Sequence, residues 1–137
     1  MWMKILSSMN VFLYHLTRGA LGSRMGGQSV LLLHTVGRKS GRPFTTPLNY
    51  YQDGENYVIV ASNWGKENHP AWFYNLLQQG STTIQVKAQE VRVNASQADG
   101  DDYDRLWKLV TSRNEFYARY QAKTSRKIPL MVLTPEK

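Results

Sequence analysis

Cysteine is absent from the 137-residue chain. That excludes disulfide scaffolds, thiolate metal sites and cysteine nucleophiles, and leaves the redox compartment open, because a thiol-free chain is equally at ease in reducing and oxidising surroundings. Long apolar runs are missing too: Val30-Leu31-Leu32-Leu33 is strand-sized, and Val11-Phe12-Leu13-Tyr14 is bracketed by Ser7, Ser8, Asn10 and His15. Neither approaches a membrane span, and no cleaved leader is expected. Acid is missing from the first third, where no Asp or Glu precedes Asp53. The histidines, His15, His34 and His69, stand far apart with no second ligand at metal-binding spacing, so no metal site is expected. There is no nucleophile elbow, no P-loop and no G-x-G-x-x-G after a strand, and Asp53 and Glu55 flank a turn where water solvates them. Hydrolytic catalysis is therefore not expected.

What is present is base. Seventeen Lys+Arg against ten Asp+Glu give a formal charge of +7, and Lys4, Arg18, Arg24, Arg38, Lys39 and Arg42 all precede the first acid. Such asymmetry calls for an anionic partner. A second basic group, Arg105, Lys108, Arg113, Arg119, Lys123, Arg126 and Lys127, follows the carboxylates Asp99, Asp101, Asp102 and Asp104. Here the plainer reading is acids at a helix N-terminus and bases toward its end, which needs no ligand.

The length argues for one domain, and 42% hydrophobic residues suffice for a core. Ile5, Leu6, Met9, Phe12, Leu13 and Leu16 make a helical stripe over 3–17, followed by Gly19, Gly22, Gly26 and Gly27. Residues 1–27 thus read as an N-terminal helix with a glycine-rich linker and 28–137 as the body. Strands are expected over 28–36, 44–51, 56–62, 82–88, 90–95 and 128–134. The first three should form a meander turned at Asp53-Gly54, with Pro47 at an edge. One helix is expected from an Asn68 cap through Trp72, Phe73, Leu76 and Leu77 to a stop at Gly80. Another should run from an Asp101 cap through Tyr103, Leu106, Trp107 and Val110, bend at Thr111-Ser112, and continue to Phe116, Tyr117 and Tyr120. About six antiparallel strands with interspersed helices predict an α+β fold whose sheet closes into a small barrel.

Two segments could carry chemistry. Thr35-Val36-Gly37-Arg38-Lys39-Ser40-Gly41-Arg42-Pro43 is a glycine-bent turn projecting three cations and a hydroxyl, suited to a phosphate or carboxylates. Its alternative is a solvated hairpin tip. The stretch from Ala61 to Trp72 runs from a strand end through Gly65 into a helix, whose N-terminus favours anions and whose Trp64 or Trp72 could wall a flat ring. Core packing is the alternative for Trp72.

The residues from Leu31 to Pro43, followed by Thr45-Thr46-Pro47-Leu48, resemble the signature of the deazaflavin-dependent nitroreductase family. Ala61-Ser62 with Gly65, His69-Pro70-Ala71-Trp72 and Asn75-Leu76 resemble its second block, and Lys123-Thr124, Arg126 and Ile128-Pro129 its C-terminal block. Leu13-Tyr14-His15-Leu16-Thr17, Gly19, Leu21-Gly22 and Arg24 extend the likeness over nearly the whole chain. It implies a split β-barrel that binds the deazaflavin coenzyme F-420 and passes hydride from its reduced form to a quinone, nitro compound or enone. Arg38, Lys39, Ser40, Gly41 and Arg42 would meet the coenzyme's phosphodiester or oligoglutamate tail. Thr46, Pro47, Ala61, Ser62, Asn63 and Gly65 would line the ring pocket, with Trp72 and Asn75 in support. Ser62, Tyr117 and Tyr120 are the catalytic candidates, the tyrosines also reading as aromatic core. Because the coenzyme carries the reactive carbon, the lack of a strong acid, base or nucleophile fits. The chain departs from the family pattern at Phe44, Asn49, Asn63, Trp64 and Asn114.

Two other classes compete. The same fold could use FMN. A non-enzymatic basic module for nucleic acid or an anionic membrane would use the positive charge and the N-terminal helix, but the aromatics lie at core-like positions rather than among the bases, and no nucleic-acid partner is expected. The resemblance implies a cytoplasmic enzyme, monomeric or homodimeric, whose partner is a small-molecule acceptor and whose N-terminal helix is a candidate for peripheral membrane contact.

Overall fold

The computed structural model describes residues 29–137. The expected N-terminal helix over 3–17 and the glycines that follow it lie outside the described residues. Seven strands form one antiparallel sheet: β1 (Val30–Val36), β2 (Pro43–Asn49), β3 (Tyr51–Asp53), β4 (Asn56–Val60), β5 (Ser81–Val86), β6 (Gln89–Gln97) and β7 (Leu130–Pro135). Among the described residues three helices accompany it: α1 (Ala71–Gln79), α2 (Gly100–Arg113) and α3 (Phe116–Lys123). A 3-10 turn, Asn63–Gly65, sits between β4 and α1.

The strand order is β2-β1-β5-β6-β7-β4-β3, which puts β2 and β3 at opposite ends of the sheet. Tyr50 alone joins them in sequence. One residue spans less than about 4 Å, so the two edges must lie together and the sheet has to curl on itself. That connection is what makes the barrel, and the expected α+β split-barrel architecture is borne out.

It also corrects the expected meander. The run 44–51 is not one strand but two, divided where Tyr50 N donates to Ser29 O at 3.0 Å. β2 pairs with β1 in the register Leu32↔Pro47 and Leu33↔Thr46, whereas β3 pairs with β4 through Tyr51↔Val58. Strands β1 and β4 are not neighbours. Pro47 does lie on an edge strand, where its missing N–H costs no ladder bond.

Alternation along β4 and β7 sorts the side chains onto two faces. Ile59, Ala61, Met131 and Leu133 join Leu31, Leu33, Ile84 and Val93 in one core, covered by Trp72, Phe73 and Leu76 of α1. Val58, Val60 and Leu130 form the other, covered by Tyr103, Leu106 and Val110 of α2 and Tyr117 of α3. Both faces are dry, hence the nearly continuous apolar runs of these strands. Leu77, expected on the buried face of α1, is exposed.

Helix ends differ from expectation by a residue or two. Extended Pro70, not Asn68, precedes α1, and the Asn68 carbonyl instead accepts from Asn63 Nδ2 at 2.8 Å. Gly80 ends α1 at φ 74°, the left-handed conformation that glycine adopts freely. Asp99 precedes α2, leaving Asp101 and Asp102 inside the first turn, where their charge complements the positive end of the helix dipole. The expected bend at Thr111-Ser112 falls at Asn114, whose φ of −146° breaks the chain into two helices. Arg105 of α2 holds Asp53 of β3 bidentately, at 2.9 and 3.0 Å, and so ties this helix to the far sheet edge.

Candidate functional site

Curling the sheet leaves a cleft of about 480 Å³ between β2, the loop after β4, the start of α1, and α3. Of the residues expected at the ring pocket, Thr46 and Pro47 line it from β2, Ser62 and Asn63 from the loop, and Trp72 from α1. Tyr117 and Tyr120 form the α3 wall. These seven residues span 75 positions of sequence (46 to 120) and meet at one cavity.

Ala61, Gly65 and Asn75 do not line the cleft. Ala61 is fully buried in the core, and its carbonyl accepts from Arg126. Gly65 lies beneath Tyr120, at φ +78°, and a Cβ there would stand 2.8 Å from the Tyr120 carbonyl oxygen. Glycine at this point lets α3 approach the loop closely, which places Tyr120 at the cleft. Asn75 is buried on α1 and turned toward the basic hairpin, its Oδ1 accepting from Arg38 N and from Arg38 Nη1, each at 3.1 Å.

The hairpin between β1 and β2 forms the second part of the candidate site, separate from the cleft lining. Gly41 N donates to Gly37 O and Gly37 N to Arg42 O, both at 2.8 Å, which closes the turn. Ser40 Oγ accepts from Arg42 N at 3.2 Å. Gly37 is confined, because a Cβ would meet Ser40 Oγ at 2.6 Å and the Phe44 ring at 2.9 Å. Arg38 lies over the Tyr74 ring, 4.9 Å from its centroid. Lys39 and Arg42 are exposed, and among the described residues none of these three cations is in an ion pair. The turn is thus an ordered, uncompensated positive tip, anchored through Arg38 to α1.

The loop that follows β4 is held from behind by Arg126, a residue that sequence reading placed only within a basic run and a family block. Its Nε donates to Lys66 O at 2.8 Å, Nη1 to Ala61 O at 3.2 Å, and Nη2 to Ser62 O at 2.6 Å. Nη1 also meets His69 Nδ1 at 2.8 Å, so the imidazole accepts there and carries its proton on Nε2. Burial, followed by the Arg126 charge, holds His69 below the usual histidine range. Within this clamped loop Asn63 and Trp64 adopt φ of +46° and +60°. Two successive left-handed non-glycine residues cost about 1–2 kcal/mol each. Trp64 is thereby turned outward, 70% exposed, with its ring edge-on to Tyr120 at 6.1 Å.

Behind the α3 wall stands a second residue that sequence reading missed. Tyr51, buried on β3, is hydrogen-bonded hydroxyl to hydroxyl with Tyr117 at 2.9 Å. Burial pushes the Tyr117 hydroxyl above the ordinary tyrosine range, with Tyr51 adding to the effect. Asn49 and Asn114, two of the departures from the family pattern, line the cleft beside it. Among the described residues no group of three His, Cys, Asp or Glu side chains could hold a metal, and no helix is long and apolar enough to cross a membrane.

A curled split barrel with an open, aromatic-walled cleft and a separate cationic hairpin is the class of fold that the chain adopts. Within that class, the family model described as F420H(2)-dependent quinone reductase matches residues 6–135. The F420H(2)-dependent quinone reductase of Mycobacterium tuberculosis is 42% identical over 126 residues, covering 89% of this chain and 85% of its own. This chain belongs to that family. A solved structure titled as an F420-H2 dependent reductase matches with a TM-score of 0.70 at 30% identity, over 76% of this chain and 92% of that one. A second, described as a domain-swapped dimer, has a TM-score of 0.74 at 26% identity and covers 96% of each chain.

Proposed function

We propose that this chain is a cytoplasmic oxidoreductase that uses reduced coenzyme F-420 to transfer hydride to an electron-poor small molecule, a quinone, nitro compound or enone. The observation that carries the reading is the pairing of an uncharged cleft with an uncompensated cationic turn. Thr46, Pro47, Ser62, Asn63 and Trp72 present an uncharged, partly apolar surface suited to a flat ring, and the cleft volume lies in the range of cofactor sites. Arg38, Lys39 and Arg42 suit a phosphodiester and a polycarboxylate tail, with Ser40 and Gly41 shaping the turn. The residues present therefore fit the coenzyme.

When bound, the coenzyme supplies the hydride. The chain's own part is to bind, orient and stabilise charge. Ser62 reaches the cleft from a loop whose backbone Arg126 immobilises, and Tyr117 and Tyr120 face it from α3. In this reading Tyr117, kept neutral by burial, donates a hydrogen bond to the acceptor, Tyr120 packs against the acceptor, and Ser62 orients the reacting ring. Ala61, Gly65 and Asn75 act indirectly, through core packing, loop approach and hairpin anchoring.

The test is a fluorescence titration with F-420 and, separately, with FMN at two salt concentrations. Tight F-420 binding that weakens with salt is expected. Binding of FMN alone would replace the coenzyme, and binding of neither would overturn the proposal.

A further inference from the structure

Asn63 and Trp64 hold left-handed φ of +46° and +60°, and Gly65 follows at +78°. Only the last is glycine, so the first two are strained. The loop is over-determined in a way that keeps them there. Gly65 N donates to Ser62 O at 2.9 Å, Lys66 N to Asn63 O at 3.0 Å, and Asn63 Nδ2 to Asn68 O at 2.8 Å. Arg126 holds the flanking carbonyls of Ser62 and Lys66. What this arrangement displays is an indole: Trp64 is the most exposed large apolar side chain among the described residues, yet it lines the cleft. Strain that served core packing would bury its side chain, and here it does the reverse.

Tyr120, which lines the cleft too, stands edge-on to that indole, with ring centroids 6.1 Å apart and planes at 76°. Two rings at nearly a right angle make a corner. The Tyr120 ring is already engaged: Phe116 stacks on it at 6.3 Å, and Lys123 Nζ lies 5.9 Å from its centroid. The indole is the open side of the corner. A flat ring stacked on the indole meets Tyr120 edge-on, so both of its contacts have a geometry that aromatic pairs favour. We infer that Trp64, held out against its own backbone strain, is the residue that selects the acceptor by ring size: its indole face takes a planar fused-ring acceptor in preference to a single ring.

The place of the indole assigns it to the acceptor. Thr46 and Pro47, on the coenzyme side, are half-buried on β2, whereas Trp64 leans on Tyr120 of α3 and stands at the solvent-facing rim. A molecule that enters and leaves at every turnover passes that rim. The inference rests on the proposed reading of the cleft as the place where coenzyme and acceptor meet. A single ring covers part of an indole and a fused pair covers most of it, so the second ring adds buried apolar area. That gain is made on binding, before hydride moves, and so belongs to KM more than to kcat.

Trp64→Ala and Trp64→Gly both delete the indole and differ only in backbone freedom. With a soluble naphthoquinone and the matching benzoquinone as acceptors, each variant is expected to lose about tenfold of the wild-type preference for the fused ring in kcat/KM. The loss should fall on KM more than on kcat, with Kd for F-420 near wild type. Comparing the ratio across variants cancels the intrinsic reactivity of the two quinones. Trp64→Gly should also melt above Trp64→Ala by roughly 2–4 °C, because glycine relieves the left-handed φ. An unchanged preference in both variants would overturn the inference, as would a glycine variant that melts at or below the alanine variant. If the wild type with reduced F-420 reduced neither quinone, the reading of function on which the inference rests would fall instead. A readout without turnover then decides the inference by itself. In protein labelled with 5-fluorotryptophan, with oxidised F-420 added, the Trp64 fluorine signal is identified by its absence in Trp64→Ala. It should shift more with the naphthoquinone than with the benzoquinone; equal shifts, or none, would overturn the inference.

Discussion

Arg126 and His69 meet at 2.8 Å, guanidinium to imidazole Nδ1, with no carboxylate between them. The cation is satisfied instead by the carbonyls of Ala61, Ser62 and Lys66. A charge held by neutral acceptors fixes a loop in place without cancelling its own field. The loop so fixed carries Ser62, Asn63 and Trp64 to the cleft.

Arg126→Ala should therefore act on stability and on the cleft together. It leaves three carbonyls and an imidazole without their donor, a loss of about 2–3 kcal/mol when part of the gap refills with water. For a chain of this size that is a fall in Tm of roughly 6–12 °C. Arg126→Lys, which lacks the planar fork, should recover only part of it. Thermal melts of the two variants, with F-420 titrations alongside, check this, and a melt equal to wild type for Arg126→Ala would remove the clamp.

His69 gives a pH dependence. Its folded pKa is held below the unfolded value of about 6.5, by burial first and the Arg126 charge second. Between the two values the unfolded chain binds more protons, so stability rises with pH there. The contribution is fully present above about pH 6.5 and is lost as pH falls toward the lower folded value. Urea unfolding between pH 5 and pH 7.5, compared with His69→Gln, should show a shallower acid-side decline in the variant.

The hairpin cations should separate binding from folding. Lys39→Ala is expected to weaken F-420 binding and reduce its salt dependence without moving Tm, because Lys39 is exposed. Arg38→Ala should weaken binding as well and cost about 0.5–1 kcal/mol of stability, because Arg38 also bonds Asn75 and covers Tyr74. Equal coenzyme affinity in the double variant would remove the anion-binding role of the turn.

Two glycines with similar φ should respond differently to alanine. Gly41, at φ +72°, has open space around its Cβ position and should lose about 1 kcal/mol. At Gly65, φ +78°, an added Cβ would stand 2.8 Å from the Tyr120 carbonyl oxygen, so its substitution must displace α3. Gly65→Ala should lose more stability than Gly41→Ala and weaken acceptor binding as Tyr120 moves. Chemical denaturation with acceptor KM measures both.

Much of the fold was legible locally. The strand runs at 56–62 and 128–134, the glycine stop at Gly80 and the turn at Asp53-Gly54 depend on neighbours in the chain, and each emerged within a residue or two of its expected place. The division of 44–51 at Tyr50 was not legible, because a run of β-forming residues reads the same whether it pairs with one partner or two. The exposure of Leu77 escapes local reading for a similar reason: helical spacing marks a stripe, but only the width of the sheet beneath decides where it ends.

The candidate site divides along the same line. The basic turn, the Ala61–Trp72 segment and the tyrosines of α3 were visible because each is a short motif whose chemistry its own residues carry. Arg126 looked like one cation among several, and Tyr51 like one more strand aromatic, until sheet order brought them to Ser62 and Tyr117. By itself the sequence determined the elements, the excess of positive charge in its first third and the residues able to carry chemistry, since these follow from side-chain type and local periodicity. Only the tertiary structure decided which of them meet. Whether β2 and β3 share one edge or close a barrel depends on pairings between residues far apart in sequence, and the cleft exists only once those edges have come together.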